Sequence, residues 1–255
     1  KRSVDESYDA HERADLVASM GRVEQSFESS AASLRTLTTD WAVWNEMYRY
    51  ALKPNPEWAE EIIGKDSLAP ADLTMAMIFA KDGRLLIANT IEAQGISLAS
   101  LLPQMGDYLQ HVKSDMQKTR CGIVRVDIGL MLTCWAGIVQ GDGSGEVAGA
   151  VVMGRLFDAS REKRLREQTK LPFMLSARYD MPPGFKAWPE PLPAGVMGTG
   201  EFSASFDAGN YRLAYPVQDI LGEKVGLITL DVPRKIHQQG LLLYQQVRQQ
   251  LLLTV

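Results

Sequence analysis

Apolar and aromatic residues recur every three or four positions through the first part of the chain. From Val17 to Tyr48 they form one continuous stripe, which is the spacing of an amphipathic helix. No proline or glycine falls between Arg22 and Lys53, so the pattern predicts a single helix of about 30 residues. Two prolines in the segment 53–56 end it. We expect a rod of this length to pack on a partner chain as well as on its own domain.

After a short helix predicted over 56–63, the pattern changes to that of strands. Apolar runs at 73–80 and 85–89 flank an Asp82-Gly83 turn, which is typical of a β-hairpin. A helical stretch at 101–117 precedes three more strand-like runs, at 122–126, 130–139 and 147–155. Five strands with helices beside them predict an antiparallel α+β sheet domain.

A smaller unit of the same kind follows. A charged helix is predicted at 158–170, and strands are predicted at 173–179, 201–206, 211–217 and 224–232. A loop rich in proline and glycine lies at 181–200. The last segment, 236–253, is rich in glutamine and leucine and is predicted to be helical. The layout is therefore two sheet lobes attached to an N-terminal rod.

Composition and charge exclude several classes of protein. The 255 residues are 45% hydrophobic and 23% charged, which is ordinary globular usage. A net charge of -4 without a basic block argues against a nucleic-acid partner. Two cysteines and three scattered histidines argue against a zinc module, and we expect neither a metal nor a cofactor.

The ends of the chain suggest a fragment. The chain starts without methionine and becomes more apolar towards Val255, yet no run approaches the ~20 apolar residues of a membrane-spanning helix. We expect a piece of a longer protein, cut just short of a membrane span.

Enzyme motifs are missing from the sequence. The glycine-rich run 141–145 lacks both the lysine of a phosphate-binding loop and the register of a nucleophile elbow, so it is predicted to be a turn. We expect no catalytic residues in this chain.

Three local patterns, in this order and spacing, resemble a known family. They are Asp-Trp-Ala-Val-Trp-Asn-Glu-Met-Tyr-Arg-Tyr at 40–50, Phe-Ala-Lys-Asp-Gly-Arg-Leu at 79–85, and the paired segments 136–145 and 149–158. Together they resemble the CHASE4 family of extracellular sensory domains in bacterial signalling proteins. The chain departs from the family pattern at Asn45, where aspartate is usual, and at Gly137, where proline is common.

The resemblance implies a periplasmic small-molecule sensor between two membrane spans of an inner-membrane receptor. Such receptors commonly carry a cytoplasmic diguanylate cyclase or phosphodiesterase, and less often a histidine kinase. The family is similar in fold to Cache and PAS sensors, so the expected fold is α+β with two PAS/Cache-like antiparallel lobes. The expected domains are a signalling and dimerisation helix (1–52), a membrane-distal sensory lobe (53–158), a membrane-proximal lobe (159–235) and a C-terminal helix (236–255). The N-terminal helix is expected to form a homodimer.

One helix face carries the first candidate ligand residues. Trp41, Trp44, Asn45 and Tyr48 follow helical spacing and share a face if the helix is continuous. Either this face packs on the sheet, and backbone groups form hydrogen bonds with Asn45 and the Tyr48 hydroxyl, or it covers one side of a ligand pocket.

Three further candidate ligand residues lie outside this face. Asp40 flanks the same face and pairs with Arg49 or with a strand residue. Arg125 faces either a pocket or the solvent, and Trp135 belongs either to the core or to a ligand cage. The mixed set suits an amino acid, a carboxylate or an amine.

The two cysteines face each other if 126–129 forms a four-residue hairpin loop. That register pairs Arg125 with Leu130 and places Cys121 opposite Cys134. Opposed strand residues lie ~4.5–5.5 Å apart between Cα atoms, which is compatible with a disulfide in an oxidising compartment. A slip of one residue would separate the cysteines and leave buried thiols.

Two rival functions stay open at this point. The first is a module of the same fold without a ligand, in which Met75, Met77 and similar side chains fill the sheet face. The second is a secreted hydrolase or binding protein unrelated to signalling.

Overall fold

A long N-terminal helix, α1 (Arg2–Ala42), is the common support of the fold. The computed structural model describes residues 2–91, 96–206 and 209–233, so the predicted helix at 236–253 lies outside them. The apolar stripe of α1 is buried against both sheets of the molecule, through Leu16, Met20, Val23, Phe27, Ala31 and Leu34.

The predicted single helix through Tyr48 is wrong at one point. α1 ends at Ala42, and a second helix, α2 (Asn45–Leu52), begins three residues later. The backbone N–H of Val139 donates to the carbonyl of Ala42 at 3.1 Å, and Trp44 adopts extended backbone angles. A hydrogen bond from a residue far along the chain thus ends α1, and no proline or glycine marks the break in the sequence.

The first sheet is five-stranded and antiparallel throughout, in the order β2-β1-β5-β4-β3. Its hairpin turn at 81–84 uses Gly83 in the left-handed region (φ 80°), as the Asp-Gly signal predicts. The elements of this lobe are α3 (Pro56–Ile63), α4 (Lys65–Leu68), β1 (Met75–Ala80), β2 (Leu85–Thr90), α5 (Leu98–Gln104), α6 (Gly106–Ser114), β3 (Arg120–Val126), β4 (Gly129–Ile138) and β5 (Gly149–Leu156).

Both faces of the first sheet are buried. On one face, alternate residues such as Leu132, Cys134 and Val151 pack with the α1 stripe. On the other, Met77, Trp135 and their neighbours pack with α5 and α6. The first lobe is therefore a three-layer arrangement, which explains why β1 and β5 are buried along their whole length.

The second sheet also has five antiparallel strands, in the order β6-β10-β9-β8-β7. Helix α7 (Ala159–Thr169) connects the lobes, close to the predicted 158–170. The strands are β6 (Met174–Ser176), β7 (Lys186–Ala187), β8 (Ser203–Phe206), β9 (Asn210–Gln218) and β10 (Lys224–Pro233). The two-residue β7 lies within the proline-rich loop, where the sequence predicts no strand. The predicted α+β class with two antiparallel sheet lobes is confirmed.

The α1 stripe does not form the dimer seam that its pattern suggests. Phe27 and Leu34 have no exposed surface within the chain itself. Their rings and methyl groups are already packed on the protein's own sheets, so no partner chain reaches them.

Candidate functional site

Five methionines lie between α5–α6 and the face of the first sheet that turns away from α1. We call this interior, with the side chains packed among them, the methionine layer; the methionines are Met75, Met77, Met105, Met116 and Met131. All five are buried. Methionine is unbranched and polarisable, and it repacks around irregular shapes more readily than other apolar residues. This wall can therefore change shape without losing its apolar character.

Trp135 is the central aromatic side chain of the methionine layer. Its indole N–H donates to the carbonyl of Asp115 at 3.1 Å. The rings of Tyr108 and His111, both on α6, meet the indole edge-to-face, with centroids 5.8 and 5.6 Å away. Trp135 thereby couples α6 to β4.

Two polar atoms inside this layer have no hydrogen-bond partner among the described residues. They are the hydroxyl oxygen of Tyr108 and Nε2 of His111. Burial raises the pKa of Tyr108 above its ordinary value, and hydrogen bonding with the neighbouring Thr133 side chain opposes the shift, although the two hydroxyls do not meet in the geometry of a full hydrogen bond. The Thr133 hydroxyl itself donates to the carbonyl of Gly122 at 3.1 Å. An unsatisfied buried hydroxyl is rare and costly, so its position requires an explanation.

A small cavity borders the layer at one edge. It has a volume of about 120 Å³, lies where α5 meets the end of β3, and is lined in part by three residues of the layer, Ile96, Leu101 and Val126. Gln104 also lines it, and the side-chain carbonyl oxygen of Gln104 accepts the backbone N–H of Asp127 at 2.6 Å. Elsewhere the layer is filled by its own side chains.

The seven predicted ligand residues are not brought into one pocket. Among five cavities of about 120 to 720 Å³ in the described part of the chain, none is lined by any of the seven. The break between α1 and α2 removes the shared face of Trp41, Trp44, Asn45 and Tyr48. Only Trp135 lies in the methionine layer.

Asn45 has a structural contact instead. Its side-chain oxygen accepts the backbone N–H of Gly141 at 2.8 Å, which ties the start of α2 to the β4–β5 loop. Trp44 is exposed and packs on Trp58, with ring centroids 5.5 Å apart.

The other predicted residues lie at the surface or at the edge of the core. Asp40 and Arg125 are exposed. Trp41 and Tyr48 are half-buried and pack against the core on the α1 side of the first sheet. Neither pair faces the methionine layer.

The predicted cysteine register is the observed one. Arg125 pairs with Leu130 and Cys121 with Cys134, and the two cysteines form a disulfide. Both sulfurs lie on the α1 side, near the carbonyl of Ala31. The bridge fastens β3 to β4 beneath α1 and contributes nothing to the methionine layer.

Sequence reasoning passed over Tyr108 and His111. They fall in the stretch 101–117 that is predicted only as helical, and no motif marks them. Their one signal is spacing, because positions 105, 108, 109 and 112 form the apolar face of α6 and its preceding turn. A tyrosine on such a face places a hydroxyl in the core.

A family model of the CHASE4 domain matches residues 26–176, more than half of the chain. The chain belongs to the CHASE4 family. This confirms the resemblance carried by the segments 40–50, 79–85 and 136–158. The CHASE4 domain is an extracellular sensory domain of membrane receptors. Membership of this family argues against the second rival, a secreted hydrolase or binding protein unrelated to signalling. No curated protein matches the chain.

Solved structures resemble this CHASE4 domain in fold. A domain of a sensory box/GGDEF family protein from Vibrio parahaemolyticus gives a TM-score of 0.50 at 10% identity, over 88% of this chain and 97% of that one. The periplasmic domain of Vibrio cholerae LuxQ gives 0.49 at 10% identity, over 85% and 99%. A Campylobacter jejuni chemoreceptor sensory domain with isoleucine bound gives 0.48 at 8% identity, over 91% and 96%.

Two further properties concern the described residues of the CHASE4 domain alone. None of their helices combines the length and apolar character needed to cross a bilayer. Within 2–91, 96–206 and 209–233, no three or more His, Cys, Asp or Glu side chains are grouped so as to hold a metal ion.

Proposed function

We propose that this chain is the periplasmic sensory module of a bacterial receptor and that a small molecule binds within its methionine layer. The buried Tyr108 hydroxyl carries the proposal, because it has no partner in an interior that is otherwise well packed. A ligand group that hydrogen-bonds this hydroxyl would remove the desolvation cost of leaving it unpaired. Of the predicted ligand residues, Trp135 alone belongs to the proposed site.

The chemistry of the layer favours a ligand with an apolar body and one or two polar groups. Tyr108 both donates and accepts hydrogen bonds, and His111 Nε2 offers a second polar atom nearby. The methionines and Trp135 provide the apolar wall. Amino acids, carboxylates and amines of moderate size all fit this description.

Ligand entry would move α6 relative to the first sheet. The same sheet packs on α1 through its other face, and α1 also supports the second sheet. The ligand shifts this arrangement only by the difference in its affinity for the two states. We propose that the shift reaches a cytoplasmic output domain, either a cyclic di-GMP enzyme or a histidine kinase.

The experiment is a thermal-shift screen of the fragment with amino acids, organic acids, polyamines and nucleosides. A compound that binds only the native state raises its stability by RT ln(1 + [L]/Kd). A hit should lose most of its shift in Tyr108→Phe and keep it in Tyr50→Phe. Tyr50 is the matched control, because it is also buried but packs on the α1 side of the first sheet.

The ligand-free module is a second candidate, and one observation favours it. Met75 and Met77 have no exposed surface, so their side chains already fill the sheet face. This candidate predicts that no compound in the panel stabilises the fragment. It also predicts that Tyr108→Phe raises the melting temperature by removing an unsatisfied group.

A homodimer stays part of the proposal, with an interface on the exposed face of α1 instead of its buried apolar stripe. The exposed face of α1 carries small residues, among them Ala18 and Ala32, which allow close approach of a second helix. Ala18→Arg together with Ala32→Arg should give monomers in analytical ultracentrifugation. An unchanged dimer would place the seam elsewhere.

A further inference from the structure

Three arginines converge on one aspartate at the junction of the two lobes. Arg155 lies on β5, Arg161 and Arg164 lie on α7, and Asp72 precedes β1. With four serines of α1 they line a groove of about 240 Å³, which we call the arginine groove.

The charges in the arginine groove do not balance. One Asp72 oxygen accepts hydrogen bonds from Arg161 at 2.6 Å and from Arg164 at 3.3 Å, and its other oxygen lies 3.9 Å from Arg155. Three guanidinium groups thus share a single carboxylate. Buried charges are ordinarily paired, and here two buried arginines, Arg155 and Arg161, share one carboxylate with the half-exposed Arg164, so positive charge is in excess beside the groove.

Burial makes this excess more costly. The side chains of Arg155 and Arg161 are only 8% and 10% exposed. Burial lowers the pKa of Arg155, Asp72 opposes this, and the like charges of Arg161 and Arg164 lower it further. Arginine keeps its charge even so, and the positive potential persists.

Backbone carbonyls hold the guanidinium groups in fixed positions. Arg161 donates to the carbonyl of Leu156 at 2.6 Å, and Arg155 donates to the carbonyl of Asp72 at 3.1 Å. Arg155 also reaches the hydroxyl oxygen of Ser33 at 3.3 Å. Fixed guanidinium groups bind oxyanions with little further loss of side-chain entropy, and their planar fork matches carboxylate and phosphate geometry.

The α1 wall of the groove, which Arg155 contacts through Ser33, is polar and uncharged. It consists of one α1 face with small side chains, namely Ser26, Ser29, Ser30 and Ser33. Ser26 and Ser29 donate to carbonyls of their own helix, and their hydroxyls can turn outward to donate to a bound oxyanion. The groove is several times larger than the ~30 Å³ share of one water molecule, which leaves room for a small anion.

We propose that the arginine groove binds a small oxyanion, either a carboxylate or a phosphate group, and thereby fastens α1 to the connector α7. The site lies on the α1 side of the first sheet, opposite the methionine layer. Occupancy would stiffen the joint through which the two lobes are linked. This is an effector site separate from the ligand site proposed above.

The test measures anion binding to the intact chain by isothermal titration calorimetry at constant ionic strength. Inorganic phosphate and succinate are the two probes, since they separate a phosphate site from a carboxylate site. We expect at least one probe to bind and Arg164→Gln to weaken its binding by about tenfold. Arg164 is half-exposed, so its loss should leave the fold intact. Arg84→Gln, on the β1–β2 turn, is the matched control and should bind like the unaltered chain.

A second variant separates binding from mere structural support. Asp72→Asn removes the competing carboxylate, and asparagine tolerates the left-handed backbone of this position (φ 54°). The proposal predicts that the same probe binds about threefold tighter or more in this variant. Tyr108→Phe should leave probe binding unchanged, which keeps the outcome independent of the methionine layer.

Three results would overturn the proposal. They are the absence of binding by both probes in the unaltered chain and in Asp72→Asn, binding that Arg164→Gln does not weaken, and binding that Asp72→Asn does not tighten.

Discussion

The two sheets share α1 but differ in what lies on their other faces. The first sheet has a second buried layer, with Trp135 and five methionines packed beneath α5 and α6. On the face of the second sheet that turns away from α1, the described residues form no such cluster. Arg212 and Asp231 are exposed there. Loop residues such as Tyr179 line a cavity together with Pro216. Within the part of the chain that the structure describes, a second apolar interior is therefore confined to the first lobe.

The largest expected effect concerns the side chain that both lobes share. Phe27 packs edge-to-face on Phe157 at 5.1 Å and on Phe173 at 5.7 Å, at the end of the first sheet and the start of the second. Phe27→Ala should lower the free energy of unfolding by about 3–5 kcal/mol. Urea denaturation measures this, with the exposed α1 change Thr36→Ala as control. Hydrogen exchange should rise in both β4 and β9, and a rise in one sheet alone would contradict a shared core.

The next effect is confined to the first lobe. Replacing Cys121 and Cys134 together by alanine should cost about 2–4 kcal/mol, because the unfolded chain loses a covalent constraint. Denaturation with and without a reducing agent measures it. The reductant should lower the free energy of unfolding of the unaltered chain and leave that of the variant unchanged. An equal change in both would show that the disulfide is not formed.

A pH effect marks the contact between α1 and the second lobe. Glu24 is 7% exposed, and burial raises its pKa to about 7, although backbone near Met197 and the Tyr215 hydroxyl oppose this. The unfolded chain ionises Glu24 near pH 4.5, whereas the folded chain keeps its proton until about pH 7. Stability should therefore fall as the pH rises from about 4.5 to 7, by an amount on the order of 3 kcal/mol.

Glu24→Gln removes that dependence and serves as the test. The variant should be more stable than the parent at pH 8 and about equal to it at pH 4. Thermal denaturation across this range measures the difference, with Glu28→Gln for comparison. A parent and a Glu24→Gln variant with parallel pH profiles would disprove the buried, protonated carboxyl.

The smallest expected effect lies at the edge of the first lobe. Asn45→Ala loses the hydrogen bond to the N–H of Gly141 and should cost about 0.5–1.5 kcal/mol. Asn45→Asp keeps an acceptor at this position and should cost less. If Asn45→Ala instead abolished binding of a ligand without a loss of stability, Asn45 would belong to the ligand site after all.

Local sequence signals were enough for most of the fold. Alternation and turn residues located every strand of the two sheets except the two-residue β7, and the Asp82-Gly83 turn marked the first hairpin. The register expected for a hairpin loop at 126–129, which joins Cys121 to Cys134, is the observed one, although Val126 and Gly129 themselves pair and only 127–128 lie between the strands. These features depend on residues close together in the chain, which is why they can be predicted.

The candidate site was less accessible to sequence reasoning. The end of α1 depends on a hydrogen bond from Val139, nearly 100 positions away, so helical spacing wrongly extended one continuous helix face from Trp41 to Tyr48. Tyr108 and His111 come into contact with Trp135 only when α6 packs on β4, so neighbouring positions in the sequence do not reveal their role. The arginine groove likewise joins Asp72 to residues more than 80 positions later, and no local pattern reports it.

The most direct test of the methionine layer is a methyl NMR titration of the ¹³C-methionine-labelled fragment with the compounds that stabilise it. Met75, Met77, Met105, Met116 and Met131 report on the layer, whereas Met20, Met47 and Met153 report on the core beneath α1. A ligand in the layer should shift the first group most, and Tyr108→Phe should reduce those shifts. Stabilising compounds that shift only Met20, Met47 and Met153, or only the exposed Met174, would contradict the account.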